Sequence, residues 1–326
     1  MFSELVDVKE NSLLEFDYEL LSILLKDNTT NKNLIWGTDN YISHGDGYSH
    51  NNEIMIEQIT GRNGQIIKPR TKKSKYEQGK RVREKAEVFT PSWVCNKQNN
   101  LIDEKWFQQT NVFNKETENG WISNKCKIKI PEDKNFYDYI KLNRIEISCG
   151  EAPYLVSRYD TTTGEVLEIN NRIGLLDRKM RLINENVNDE LEWYELTKEA
   201  YKSIYGFEWQ GDSLLIAREN LLYTFTDNYI YKWNKKPIAK IVKEIAIIIS
   251  WNLFQMDGMK FVVPNSCKNE KIIEYTLFGD NEIEEECPGC KNGNCKSHNG
   301  IYVKIMNWQT NRKIKFVSLI SRRNFK

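Results

Sequence analysis

From about residue 87 onward, short strand-like runs alternate with longer helix-like segments. The segment 144–148 has the length of a short strand, and 205–209 is a brief apolar strand. Apolar residues recur with helical spacing in 189–204, 213–225 and 238–253, and 301–307 is a last strand-like run. This alternation predicts an α/β fold in which a parallel sheet carries helices on both faces.

The first 86 residues follow a different pattern. Leucines with helical spacing up to about Asp27 predict one helix. Residues 53–69 alternate like a β-hairpin around Asn63-Gly64, a dipeptide typical of tight hairpin turns. A basic stretch from Arg62 to Lys85 continues as linker or helix. We therefore divide the chain into an N-terminal helix and hairpin region with a basic linker, 1–86, and an α/β domain, 87–326.

Composition narrows the possible functions. The 326 residues are 40% hydrophobic, which is ample for a globular core. The longest apolar run, 245–254, is too short to cross a bilayer, and the N-terminus lacks the pattern of a secretory signal. Seven unevenly spaced cysteines do not match a disulfide framework. These features predict a cytoplasmic protein without a membrane span.

Charge gives weaker information. A net charge of +1 produces no global attraction for polyanions. Two local stretches, 62–85 and 312–326, are nevertheless basic, with aromatic residues in the second. Each is either a solvated face or a set of phosphate contacts, and the sequence leaves both alternatives open.

Carboxylates lie near the ends of two predicted strands. Ligands of open parallel sheets bind beyond the carboxyl ends of the strands. Glu146 precedes the turn Cys149-Gly150, where glycine lets the backbone approach a ligand closely. Glu208 ends the next strand, where a carboxylate can accept hydrogen bonds from both hydroxyls of a ribose. A purely structural turn explains the same residues.

Three segments, in this order, resemble the gamma-type adenine-N6 DNA methyltransferases. EVFTPSWVC at 87–95 resembles the Phe-Thr-Pro segment that precedes a helix in that family. EISCGEAPYL at 146–155 resembles the Asp-Pro-x-Cys-Gly-x-Gly-x-Phe-Leu loop, and IYGFEWQGDSLLIARENLL at 204–222 is similar to the Gly-x-Glu and Ala-Arg-x-Asn-Leu stretch. This resemblance spans about 87–257. A likeness to methyltransferase subunits of bacterial restriction systems extends over most of the chain.

The resemblance implies a Rossmann-like methyltransferase sheet, S-adenosylmethionine as cofactor and adenine N6 of double-stranded DNA as methyl acceptor. It also implies a restriction-modification or other defence system, with a restriction or specificity subunit as partner. The cofactor-binding positions that it implies are Phe89, Thr90, Glu146, Gly150, Glu208 and Asp257. Trp209, Trp251 and Phe254 are candidates to stack on the adenine ring, although such aromatic residues more often belong to a core.

Two departures separate the chain from that family. Ala152 and Pro153 stand where the loop would repeat its glycine, so we expect a stiffer loop with less access to positive φ. The Asn-Pro-Pro-Tyr tetrapeptide that binds a flipped adenine is missing, and the nearest equivalent is Asn307-Trp308. Either these two residues are catalytic in a variant pocket, or the chain is an inactive methyltransferase-fold subunit that binds nucleic acid or a partner protein. A small-molecule methyltransferase is a third alternative.

A cysteine- and histidine-rich loop occupies 286–300. Cys287, Cys290, Cys295 and His298 lie within twelve residues of one another, with Pro and Gly between them. Three thiols and one imidazole at this spacing predict a closed, structural zinc site, a small knuckle-like insertion in the α/β domain. A flexible loop with incidental cysteines is the alternative. The other histidines, His44 and His50, lie in a polar segment that we expect to be a surface loop, with a metal or catalytic site as the alternative.

Overall fold

A computed structural model describes residues 6, 10–85, 87–276 and 279–320. The helices in these ranges are α1 (Glu10–Phe16), α2 (Tyr18–Leu25), α3 (Ile56–Ile59), α4 (Lys75–Lys85), α5 (Ser92–Phe107), α6 (Phe136–Lys141), α7 (Leu175–Asn186), α8 (Glu190–Lys202), α9 (Gly211–Trp233), α10 (Ala239–Asn252) and α11 (Pro288–Asn292). The strands are β1 (Asn114–Thr117), β2 (Gly120–Ser123), β3 (Arg144–Ile147), β4 (Ile204–Glu208), β5 (Leu253–Gln255), β6 (Glu270–Thr276), β7 (Gly279–Glu285), β8 (Lys304–Asn307) and β9 (Arg312–Lys315).

A three-stranded parallel sheet, in the order β3-β4-β5, organises the fold. Helices α7 and α8 connect β3 to β4, and α9 and α10 connect β4 to β5. This arrangement confirms the predicted mixed α/β class with a parallel sheet. A Rossmann-like methyltransferase fold in the narrower sense stays a prediction.

The last predicted strand does not extend this sheet. Within the described ranges, β8 pairs only with β9, in an antiparallel hairpin. The side chain of Asn307 causes the reversal, because its Oδ1 accepts the backbone N–H groups of Gln309 and Thr310, both at 3.1 Å. The strand beginning at Ile301 is therefore shorter than predicted and belongs to a separate ribbon.

Helix α9 lies at the centre of the main hydrophobic core, and most of its residues are buried. Its Arg218 is fully buried and donates to the carbonyls of Leu24, Lys26, Ser250 and Leu253. These carbonyls belong to the ends of α2 and α10, which have no partner inside their own helices. One guanidinium thus joins three helices, and burial lowers its pKa to about 10.

Two predictions for the N-terminal region are wrong. Two helices replace the single one, because the Asp17 side chain accepts the N–H of Glu19 and begins a second helix. In place of the hairpin at 53–69 stands the short helix α3 followed by tight turns, and Gly64 has φ of −65°. The Gln58 side chain accepts the N–H of Met55, which favours the helical turn over an extended strand.

The N-terminal region and the α/β part share one core. Leucines of α2 belong to the same buried cluster as residues of α9 and α10. The division near residue 87 is therefore a change of sequence pattern, and the hydrophobic interior continues across it. Among the described helices, none has the length and apolar character needed to cross a membrane.

Candidate functional site

Four side chains that can ligate a metal lie close together in the part of the chain that follows β5. Cys267, Cys287, Cys290 and His298 bring their ligand atoms within 4.8 Å of one another. Nδ1 of His298 lies 3.6 Å from Sγ of Cys267, 3.6 Å from Sγ of Cys287 and 3.7 Å from Sγ of Cys290. A tetrahedral zinc ion with bonds of about 2.3 Å to sulfur and about 2.0 Å to nitrogen separates such atoms by roughly 3.6 Å. The cluster can therefore hold a metal ion such as zinc.

One predicted ligand is wrong. Cys295 is absent from the cluster and packs instead against a second hydrophobic core, which includes Phe207, Phe254 and Phe316. Cys267 takes its place in the cluster. The hairpin β6–β7 explains the exchange, because it pairs Glu270 with Glu285 and so brings the chain before it next to the chain after it. Cys267 and Cys287 flank this hairpin on its open side.

Local backbone geometry supports the cluster. A Cβ on Gly289 would lie 2.5 Å from Nδ1 of His298, so only glycine leaves room for the imidazole. The N–H of His298 donates to the Tyr302 hydroxyl at 2.8 Å, which orients the ligand loop. The N–H of Asn299 reaches the Cys287 sulfur at 3.4 Å.

The electrostatics of the thiols favours a cation. Burial raises the pKa of Cys287, but hydrogen bonds from the N–H groups of Asn299 and Cys290 outweigh it and lower that pKa to about 6. Burial and the neighbouring thiols raise the pKa of Cys267 to about 12. Sulfurs this close cannot all ionise unless a positive ion lies between them.

A cleft of about 950 Å³ opens at the carboxyl edge of the parallel sheet. The loops after β3 and β4 form its floor, and the segment before α5 and parts of the N-terminal region form its walls. The residues that line the cleft include Gly37, Asp39, His50, Arg83, Glu84, Glu87, Phe89, Thr90, Glu146, Gly150, Tyr154, Glu208, Trp209 and Asn265. Its position is the one where open parallel sheets bind ligands.

Glu208 and Gly150 lie side by side on the floor of the cleft. The N–H of Gly150 donates to Oε2 of Glu208 at 2.9 Å, and Oε1 of Glu208 accepts the N–H groups of Trp209 and Gln210. Glu146 accepts the N–H groups of Tyr154 and Leu155 at 3.4 and 3.2 Å. Two carboxylates from neighbouring strands thus hold the backbone of the turn.

The turn has an unusual backbone. Ser148, Gly150 and Ala152 have φ of 49°, 53° and 65°. We expected Ala152 to avoid positive φ, and that expectation is wrong. A non-glycine residue in this region costs about 1–2 kcal/mol, and the contacts of Glu146 and Glu208 on either side of the turn help to hold it. Alanine therefore keeps the bend that a second glycine would make.

Burial dominates the acid–base properties of the two carboxylates. It raises the pKa of Glu146 well above its ordinary value, although the N–H groups of Tyr154 and Leu155 oppose the shift. The pKa of Glu208 is raised for the same reason, and the N–H of Gly150 opposes it. A ligand with a positive charge or hydroxyl donors would offset the cost of ionising them.

The structure brings most of the implied cofactor residues together. Phe89, Thr90, Glu146, Gly150 and Glu208 all line the cleft. Asp257 follows β5 on the same edge of the sheet but does not line the cleft, and its Oδ1 accepts the N–H groups of Met259 and Lys260. Among the candidate stacking residues, Trp209 lines the cleft and Phe254 is buried in the second core, while Trp251 lies under Lys313.

Asn307 and Trp308 lie far from these residues. They face Arg144 and Lys202 at the amino edge of the sheet, opposite the cleft. The Trp308 indole donates to Oδ1 of Asn252 at 2.8 Å, and Asn307 is engaged in its own turn. Their assignment as catalytic residues for a ligand in the cleft is therefore corrected, because β8 turns back before it can join the parallel sheet.

Sequence reasoning missed several lining residues. His50, which we placed on a surface loop, lines the cleft, and its Nδ1 lies 2.9 Å from Oδ1 of Asp39. The N–H of Gly37 donates to the carbonyl of His50, and the Trp209 indole donates to the carbonyl of Gly37. This N-terminal segment is thereby fixed against the turn after Glu208. No local motif in the sequence marks these long-range contacts.

The basic stretch before the cleft is anchored by a buried ion pair. Arg81 of α4 contacts Asp212, which lies in the first turn of α9, and its Nη1 lies 2.7 Å from Glu87. Tyr41 donates to Asp212 at 2.7 Å, and Lys73 lies 3.5 Å from it. Burial alone would raise the pKa of Asp212, but the charges of Arg81 and Lys73 lower it well below its usual range.

Comparison of the chain with models of known protein families, with curated proteins and with solved structures finds no match to any of them.

Proposed function

We propose that the cleft binds S-adenosylmethionine and that the protein is a methyltransferase of the adenine-N6 DNA type. The observation that carries this proposal is the contact between Glu208 and the N–H of Gly150, at the ends of neighbouring parallel strands. Carboxylates already occupy the backbone donors of Gly150, Tyr154 and Leu155. A phosphate-bearing nucleotide, which binds through such donors, is a poor fit.

The charges of the cleft support a cationic adenosyl ligand. Carboxylates of Asp39, Glu84, Glu87, Glu146 and Glu208 line it, against one arginine, Arg83. S-adenosylmethionine carries a sulfonium, an ammonium and two ribose hydroxyls, all of which acidic groups favour. The volume of about 950 Å³ lies within the range of small-molecule sites, about 300–1,000 Å³.

A nucleic-acid acceptor is proposed from the rim of the cleft. Helix α4 is tied down by Arg81, and Arg83 and Glu84 from its last turns line the cleft. Lys75 and Tyr76 of the same helix are exposed, Tyr76 by 75%. An anchored helix with exposed cations and an aromatic ring can contact phosphates and stack on a base.

A second candidate is a subunit that binds the ligand and a partner or nucleic acid without transferring a methyl group. The position of Asn307 and Trp308 at the opposite edge of the sheet favours it, because it leaves the cleft without the residues that the resemblance implies for catalysis. In both versions we propose that the Cys267 cluster holds structural zinc, since four protein ligands leave no open position for a reacting water.

Isothermal titration calorimetry of the full chain with S-adenosylmethionine tests the proposal. We expect one site per chain, and we expect Glu208→Ala to weaken binding more than tenfold, because it removes the acceptor at the ribose position and releases the N–H of Gly150. Glu199→Ala is a matched control, since Glu199 lies in α8 and pairs with Lys202 on the surface. Absence of binding by the unmodified protein contradicts the proposal.

Methyl transfer separates the two candidates. The protein is incubated with tritiated S-adenosylmethionine and double-stranded DNA of mixed sequence. Label in DNA, lost in Glu208→Ala and retained in Glu199→Ala, supports the enzyme. Binding of S-adenosylmethionine without label in DNA, also when a partner subunit is added, supports the inactive subunit.

A further inference from the structure

Asn265 lies on the loop that joins the cleft to the Cys267 cluster, which consists of Cys267, Cys287, Cys290 and His298. It lines the cleft, and it precedes the metal ligand Cys267 by two residues. Its Nδ2 is shielded from solvent and has no hydrogen-bond partner among the residues that the structure describes. Buried amide donors are nearly always paired in folded proteins, so an unpaired donor in a ligand cleft points to an acceptor on the ligand.

We propose that Asn265 is a ligand-binding residue of the cleft and that the metal-bound loop holds it in position. The inference rests on the proposed function, because it takes S-adenosylmethionine as the ligand. The Asn265 amide donates a hydrogen bond to an acceptor atom of that ligand, a ring nitrogen of adenine or a carboxylate oxygen.

The loop that carries Asn265 is fixed at both ends. On one side it follows β5, and Asp257 and Val262 form a bridge that closes the intervening turn. On the other side Cys267 belongs to the metal cluster. Between these ends the Ser266 hydroxyl donates to the carbonyl of Val263 at 2.7 Å and accepts the N–H of Ile301 at 3.0 Å.

Asn265 also has a backbone that few residues adopt. Its φ is 60°, a conformation that asparagine, aspartate and glycine tolerate best. Bulkier side chains are therefore disfavoured at this position, and a short amide is retained beside the cleft. Loss of the metal would free Cys267 and, with it, the end of the loop that holds this strained residue.

The test compares two variants that keep the backbone conformation. Asn265→Asp has nearly the same shape but replaces the donor with an acceptor, and Asn265→Gly removes the side chain without penalising positive φ. Calorimetry with S-adenosylmethionine and zinc analysis are carried out on each variant. We expect at least tenfold weaker binding in both, with one zinc per chain retained. Asn292→Ala, at the exposed end of α11 beside the metal ligand Cys290, is the control and should bind normally.

The outcomes separate this inference from the proposed function. If the unmodified protein binds S-adenosylmethionine and both Asn265 variants match its affinity, the inference is overturned and the proposed function stands. If the unmodified protein does not bind S-adenosylmethionine, both the inference and the proposed function are contradicted. Removing zinc with a chelator should weaken binding of the unmodified protein at least tenfold. An unchanged affinity after complete zinc removal overturns the role of the metal in holding Asn265.

Discussion

Replacing Cys267 with serine should remove most of the metal from the protein. Structural zinc sites with four ligands have apparent binding free energies of about 10–16 kcal/mol, so an equal share for each ligand is roughly 3 kcal/mol. A loss of that size lowers the affinity by about two orders of magnitude. Sγ of Cys267 lies 3.7 Å from Sγ of Cys290 and 3.6 Å from Nδ1 of His298, so Cys267 belongs to the group of side chains that can hold the ion.

Cys295→Ser is the matched control, because Cys295 lies in the same loop but outside the cluster. Both variants are purified in zinc, passed through gel filtration with a weak chelator, and analysed by mass spectrometry for metal. The geometry predicts about one zinc per chain in Cys295→Ser and a much smaller amount in Cys267→Ser. Zinc retained in Cys267→Ser but lost from Cys295→Ser would refute the ligand set. Full zinc occupancy in both variants would contradict the prediction that Cys267 is needed to hold the ion.

Two further predictions concern buried charges. Asp212→Asn removes one of the two carboxylate partners of Arg81 and leaves Glu87 as the other, and loss of one member of a buried pair costs up to about 3–5 kcal/mol. Urea denaturation should show this loss, and a change below about 1 kcal/mol would contradict it. Because burial raises the pKa of Glu146, its ionisation destabilises the fold as pH rises above the ordinary value of 4.5. Glu146→Gln should therefore gain stability relative to the unmodified protein between acidic and neutral pH in thermal melts, and parallel curves would contradict the assignment.

Local patterns predicted two of the three strands of the parallel sheet, β3 and β4, but not β5. The strand at 205–209 follows from its apolar residues, and the helices within 189–204, 213–225 and 238–253 follow from apolar residues at helical spacing. The prediction of a hairpin at 53–69 was wrong because Gln58 and its neighbours form helical turns, although apolar and polar residues alternate there as in a strand. Asn307 turned a predicted sheet strand into a separate ribbon through two side-chain hydrogen bonds.

The sites depend on contacts that the linear sequence does not show. Glu146, Gly150 and Glu208 could be predicted, because parallel strands bring their carboxyl ends to one edge. Sequence spacing alone favoured Cys295 as the fourth metal ligand. The β6–β7 hairpin instead brings Cys267, which lies outside the loop 286–300, next to the other three side chains. The available signal was the pair of segments that form β6 and β7 between Cys267 and Cys287, because a hairpin there brings these two cysteines together. His50 and Asn265 reach the cleft only through tertiary packing, for which no short motif exists.

The most direct test of the central claim is a crystal structure of the protein grown with S-adenosylhomocysteine, the demethylated product. The account predicts density for the nucleoside in the cleft, with its ribose hydroxyls within hydrogen-bonding distance of Glu208 and its chain passing over Gly150. An empty cleft at saturating ligand, or a nucleoside bound at another surface, would contradict it.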